Sequence, residues 1–241
     1  MLFLAVSAFI AGLGRGFSGF GNALIFMPLA SKIVGPALAA PVLLVIDAIM
    51  AAGMLPNAWQ LADRREVWMM SAGALIGVPV GTFILAVGDP LTLRWGIVLT
   101  VAILLTVLIS GWRFRSEPSS QLTIGVGAVS GLFSGAAQLG GLPVVVYLLG
   151  RRISGAVMRA NIVLYFAIAS GFTAVAYMAS GLFTQSVLGL AILAGPSYGL
   201  GLYLGSRLFG VASEITFRRI CYALIFAAVI IGLPLFDSVT R

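Results

Sequence analysis

Two stretches of this chain carry residue types suited to holding a small anion. Gly12 to Pro28 reads GLGRGFSGFGNALIFMP, with five glycines between Gly12 and Gly21 and with Arg15, Ser18 and Asn22 among them. Gly131 to Pro143 reads GLFSGAAQLGGLP and contributes Ser134, Gln138, Gly140 and Gly141. Glycine lets a backbone approach a bound group with no Cβ in the way. A helix that starts just after such a break aims unpaired N–H groups and the positive end of its dipole at the break. Asn22 to Ala23 and Gly141 to Leu142 begin such helices, with Gly21 and Gly140 just before them. Hydroxyls and amides of Ser18, Asn22, Ser134, Gln138 and Asn161 supply further donors, and Arg15 and Arg159 supply guanidinium groups for an oxyanion. The competing reading of the same glycines is close helix packing in small-xxx-small fashion.

The frame around these stretches is a membrane protein. Hydrophobic residues make up 61% of the chain and charged residues 9%, where soluble domains carry roughly 25% charged residues. Mean hydropathy is +1.12. Long apolar runs at Ala37–Leu55, Val67–Val87, Leu93–Trp112, Ala156–Ala179, Ser186–Leu204 and Arg219–Leu235 approach the roughly 20 residues that a helical crossing needs. The net charge of +7 fits loops rich in Lys and Arg, and nothing points to nucleic acid. The single Cys221 excludes a disulfide framework, and the absence of His removes His-based catalytic dyads and most zinc sites. The first residues, MLFLAVSAFIAGLG, lack a basic start and read as part of the mature protein.

An internal repeat organises the chain. Gly12, Gly16 and Gly21 fall on Gly131, Gly135 and Gly140 at a constant offset of 119 residues. Gly77-Val78-Pro79-Val80-Gly81 then matches Gly195-Pro196-Ser197-Tyr198-Gly199, and Thr92-Leu93-Arg94 matches Thr216-Phe217-Arg218. The first repeat is read as residues 1–112, the second as 122–241, and the polar linker between them as 113–121. Pro79 and Pro196 are expected to kink the third helix of each repeat.

Two topologies compete. If each Gly-rich element is one full crossing, giving eight helical segments across the membrane, the loop Lys and Arg divide five against seven. If each is a re-entrant hairpin, they divide three against nine, with Lys32, Arg94 and Arg241 on the poorer side. The excess of basic residues in cytoplasmic loops favours hairpins. Leu2–Leu13, Ala23–Ser31, Leu122–Leu132 and Leu142–Leu149 are then each about half a membrane long. A hairpin plus three crossings inverts the second repeat relative to the first, a recurring transporter design. Loops 56–66, 113–121, 150–155 and 206–218 become cytoplasmic. A broken full-length helix gives the same sequence signal, so the alternative stays open.

The paired motifs GFSGFGNALIFMP and SGLFSGAAQLGGLP, the basic turn Arg151-Arg152 leading to Arg159-Ala160-Asn161, and the Gly/Pro-bearing third helices resemble the TauE/SafE sulfite-exporter family, also called the TSUP superfamily. The resemblance spans essentially the whole chain. It implies an all-α polytopic transporter in a bacterial or archaeal cytoplasmic membrane, moving sulfite, a sulfonate or a related small organic anion held between the two motifs near the midplane. Departures between the repeats are Asn22 opposite Gly141, Gly19 opposite Gln138, and an Arg15 with no counterpart.

Asp47 is the one acid in the middle of a long apolar run and is the candidate for coupling to protons, with a hydrogen-bonded packing role as the competing reading. Asp63, Glu66, Asp89, Glu117, Glu214 and Asp237 lie in loops or at helix ends and are expected to be solvated. GFSG and GLFSG resemble the GxSG of intramembrane serine proteases, but those need a His base. An enzyme is therefore not expected, and no cofactor or metal is implied. A channel on two half-helices remains the alternative, although the paired Asn-Pro-Ala signature of aquaporins is missing. The expected partners are a small anion substrate and the lipid bilayer, with a homo-oligomer left open.

Overall fold

The computed structural model describes residues 1–18, 21–111, 119–151, 153–208 and 214–236, with the side chains of 17, 18, 208, 214–219 and 236 outside that description. Most of the linker, Arg152 and the loop around residue 210 thus lie beyond it. The described residues are all-helical, in the order α1 (Leu2–Ser18), α2 (Asn22–Val34), α3 (Pro36–Ala51), α4 (Leu55–Leu61), α5 (Arg64–Val87), α6 (Pro90–Ser110), α7 (Ser120–Ala137), α8 (Gly141–Leu149), α9 (Gly155–Ala179), α10 (Gln185–Leu208) and α11 (Glu214–Gly232). Short 3-10 turns follow α3 and α11. Five segments are long and apolar enough to cross a bilayer: Pro36–Leu61, Arg64–Val87, Pro90–Ser110, Gly155–Ala179 and Gln185–Arg207. The protein is a polytopic helical membrane protein.

The chain divides into two compact units, and neither is a contiguous half. One holds α1, α2, the first part of α3, α6, α10 and α11; the other holds α4, α5, α7, α8 and α9 with the remainder of α3. Each unit therefore mixes helices from both repeats.

In the first unit α1 lies along α10. A Cβ on Gly12 would overlap the Tyr198 carbonyl, and one on Gly16 the Leu202 carbonyl. In return, a Cβ on Gly201 would overlap the carbonyl of Phe9, and one on Gly205 that of Leu13. The register rises together on both helices, so they run parallel. In the second unit α5 lies along α7 in the same manner. Gly73, Gly77 and Gly81 meet the backbone at Ile124, Ala128 and Leu132, while Gly127, Gly131 and Gly135 meet it at Met70, Ala74 and Val78. Lipid tails offer no hydrophobic drive for helix association, so close backbone contact through small residues supplies it. The opposite side of α5 exposes Leu75, Ile76 and Phe83, as a lipid-facing surface should.

These contacts revise the expected half-helices. α1 and α7 have 17 and 18 residues, roughly 25 Å each at about 1.5 Å per residue, rather than half a membrane. Helix continues through Gly12, Gly16, Gly131 and Gly135, where the partner backbone fills the space that a side chain would have taken, and through Gly14, where the Ile25 side chain lies. Among the described residues, α1 runs to Ser18 and α2 starts at Asn22, while α7 runs to Ala137 and α8 starts at Gly141.

Both elements then turn back. In the second unit, Tyr147 on α8 meets Thr123 in the first turn of α7 (Oη···Oγ1, 2.7 Å). Arg151 pairs with Glu66 in the first turn of α5, which runs parallel to α7. An eight-crossing chain would put Arg151 across the membrane from Glu66. In the first unit, Ile25 on α2 lies beside Gly14 of α1. Lys32 Nζ and Arg94 Nη2 donate to the carbonyls of Ile231 and Gly232 at the end of α11, where cations are favoured by the helix dipole. The hairpin topology alone places these groups at one end. The parallel run of α1 and α10 is also the direction that an inverted second repeat requires.

Helix ends follow ordinary capping chemistry. Asp89 accepts the Thr92 N–H at 2.8 Å, and this bond holds its carboxyl below the usual range. Ser119 and Ser154 cap α7 and α9 likewise, and Gly111 closes α6 in the left-handed region with φ 64°. α5 and α10 each contain their proline, Pro79 and Pro196, inside a continuous helix.

Candidate functional site

The break in the first unit is set by Gly21, whose φ of 96° is open chiefly to glycine. α2 begins at the next residue, and its N-cap glycine has no side chain to take the first N–H groups, which need partners from elsewhere. Asn22 is buried and its Nδ2 donates to Tyr198 Oη on α10 at 3.0 Å. Ser18 closes α1, with its side chain outside the described residues. Arg15 lies one turn earlier, partly exposed.

The break in the second unit uses different residues. Gln138 takes φ 59°, and it is the one described non-glycine residue with positive φ. Its N–H bonds the Ser134 carbonyl at 2.9 Å, and the Leu139 N–H bonds the Phe133 carbonyl at 3.0 Å, which closes α7. The Gln138 amide then donates to Tyr177 Oη at 3.4 Å, and that hydroxyl donates to the Gly135 carbonyl at 2.8 Å. Gly140 is wedged against Ser130 and Ser134, with no room for a Cβ, and its carbonyl accepts from Ser130 Oγ at 2.7 Å. Gly141 starts α8, again without a side-chain cap. A Cβ there would meet only Phe166, at 4.0 Å.

Asn161 does not belong to either break. It is completely buried on α9, where Oδ1 accepts the Asp63 N–H at 2.8 Å and Nδ2 donates to Glu66 Oε2 at 2.9 Å. Glu66, expected to be solvated, is only 2% exposed. Tyr147 Oη donates to its Oε1 at 3.1 Å, and the Arg151 guanidinium pairs with the same oxygen at 3.0 Å. Asp63-Arg64-Arg65-Glu66 has the spacing of a capping box, and Asp63 Oδ1 does accept the Glu66 N–H at 3.2 Å. The reciprocal bond is missing, because Asn161 takes the Asp63 N–H and leaves the Glu66 carboxylate to turn inward. Arg159, two residues before Asn161, is exposed, and Asp47 is partly exposed on α3.

The candidate residues thus fall into three groups: Gly21 and Asn22 at one break; Ser134, Gln138, Gly140 and Gly141 at the other; and Asn161 in the Glu66 cluster. Sequence reasoning passed over Tyr147, Tyr177, Tyr198 and Glu66. The tyrosines sit in apolar runs where they read as packing; Glu66 sits at a span end where acids are ordinarily wet.

Glycine-broken hairpins inside a polytopic helical frame are a recurring setting for solute sites in membrane proteins. A family model described as Sulfite exporter TauE/SafE matches residues 4–231. The chain belongs to this family, and it is a multi-pass membrane transporter and not an enzyme. Neither a curated protein nor a solved structure matches it.

Proposed function

We propose that this transporter exports a small sulfur-containing anion, of the sulfite or sulfonate class, across the cytoplasmic membrane. The observation that carries the reading is the pair of helix starts whose N-cap residues are glycines, α2 after Gly21 and α8 after Gly140, so that no N-cap side chain takes their first N–H groups. Each leaves N–H donors and a positive dipole end where the helix begins. Asn22 and Gln138 set an amide beside each start, and a three-oxygen anion suits several such donors. Asp47 is the coupling candidate.

Uptake into proteoliposomes of sulfite, sulfonates and small carboxylates, with and without a pH gradient, tests the proposal. Transport should saturate and show counterflow; unsaturable flux would favour a channel, and no anion movement at all would overturn the reading. Asn22→Ala and Gln138→Ala should each lower transport about tenfold, the scale of one lost hydrogen bond to a charged group, with membrane expression intact. Asp47→Asn should remove the effect of the pH gradient.

A further inference from the structure

The Glu66 cluster has the form of an occupied anion site. Tyr147, Asn161 and Arg151 converge on one carboxylate from α8, α9 and the turn between them. Tyr147, Asn161 and Glu66 are each at most 3% exposed, whereas the Arg151 side chain is 25% exposed and so opens the cluster to water. A hydroxyl, an amide and a guanidinium also make up the donor set that an external oxyanion needs.

We infer that Tyr147, Asn161 and Arg151 form a binding site for a small oxyanion whose resting occupant is the chain's own Glu66 carboxylate, and that an external anion enters as Glu66 takes up a proton and withdraws. Charge counting requires the exchange. A partly buried guanidinium is disfavoured without a counter-charge, and so are two anions sharing one cation beside the buried Glu66. In the resting state Glu66 carries −1 and Arg151 +1. One proton from water converts the carboxylate to a carboxylic acid, and one external anion replaces it beside Arg151. The cluster stays neutral throughout, so proton and anion are bound together.

Glu66 is the carboxylate that the three donors face, and the other charged groups nearby are engaged elsewhere or exposed. Asp63, on the same turn, is committed to the Glu66 N–H. Arg64 lies over the Trp59 ring at 5.1 Å, and Arg65 is exposed. From α7 the cluster receives only Thr123, which bonds Tyr147. α9 adds the neutral Asn161, its Arg159 being exposed.

The inference rests on the reading of this chain as a carrier of small oxyanions, but its test is a binding measurement. Methanesulfonate stays ionised across neutral pH, so any proton taken up on binding belongs to the protein. Purified protein in nanodiscs, titrated with methanesulfonate in weakly buffered solution with a pH indicator, should take up about one proton per anion bound. Its affinity should fall roughly tenfold per pH unit above the Glu66 titration, as linkage requires. Glu66→Gln should abolish proton uptake and make binding independent of pH; Arg151→Gln should abolish binding at this site. Should Glu66→Gln fail to fold, Tyr147→Phe removes one donor at nearly constant volume and should weaken binding while keeping the proton ratio. Absence of binding, binding without proton uptake in the wild type, or unchanged uptake in Glu66→Gln would overturn the inference. Sulfite flux in proteoliposomes without binding-linked proton uptake would sink this site alone. Binding-linked uptake without flux would sink the transport reading alone.

Discussion

The two hairpins share their packing and differ in their chemistry. α1 and α7 both lay a glycine face along the third helix of the other repeat, backbone against backbone. At the breaks the likeness ends. The first hairpin turns through Gly21 and places Asn22 against Tyr198; the second turns through Gln138 and places its amide against Tyr177. The second continues into the Glu66 cluster, through Tyr147 and Arg151, whereas the first ends with Lys32 at the α11 carbonyls. Repetition thus accounts for the scaffold, and divergence between the repeats marks where recognition is to be sought.

The largest expected effect would break the shared part. Gly12→Leu and Gly131→Leu each drive a side chain into backbone that cannot yield, at about 1–3 kcal/mol or more, and both should abolish folded protein on detergent size-exclusion chromatography. Tolerance of one and not the other would end the equivalence of the hairpins. A smaller effect sharpens the difference at the breaks. A left-handed backbone costs a non-glycine residue roughly 1–2 kcal/mol, so Gln138→Gly should raise thermal stability while lowering transport. A variant both more stable and fully active would show that the Gln138 side chain has no part in recognition. The smallest effect concerns adjacent glycines. Gly141→Ala has room and should leave stability within about 0.5 kcal/mol, whereas Gly140→Ala meets Ser130 and Ser134 and should not fold normally. If the start of α8 receives the anion, Gly141→Ala still reduces transport.

Much of the scaffold was legible in the sequence. The 119-residue spacing, the apolar runs and the uneven distribution of Lys and Arg point to hairpins, and the contacts of Arg151 with Glu66 and of Lys32 with Ile231 agree. The helix lengths were not legible. A glycine every fourth residue reads equally as a break or as a packing face, and only the partner helix decides between them. The packing reading holds for Gly12, Gly16, Gly131 and Gly135, while Gly21, Gly140 and Gly141 mark the breaks. Glu66 was missed because its burial depends on Asn161, 95 residues away, displacing it from the cap that its local spacing predicts. Nothing near Glu66 in the chain announces that displacement.

The exchange of third helices also governs how this protein is made. α1 is synthesised before α10, whose backbone its glycine face fits. That face finds its partner only once the helices between them have been made, and the second unit likewise joins segments from both sides of residues 113–121. Cutting the gene within residues 113–121 should therefore give two fragments that are each unstable alone and that recover stability only when produced together. The spacing that suggests two halves in the sequence does not divide the fold, because each compact unit draws on segments from both sides of residues 113–121.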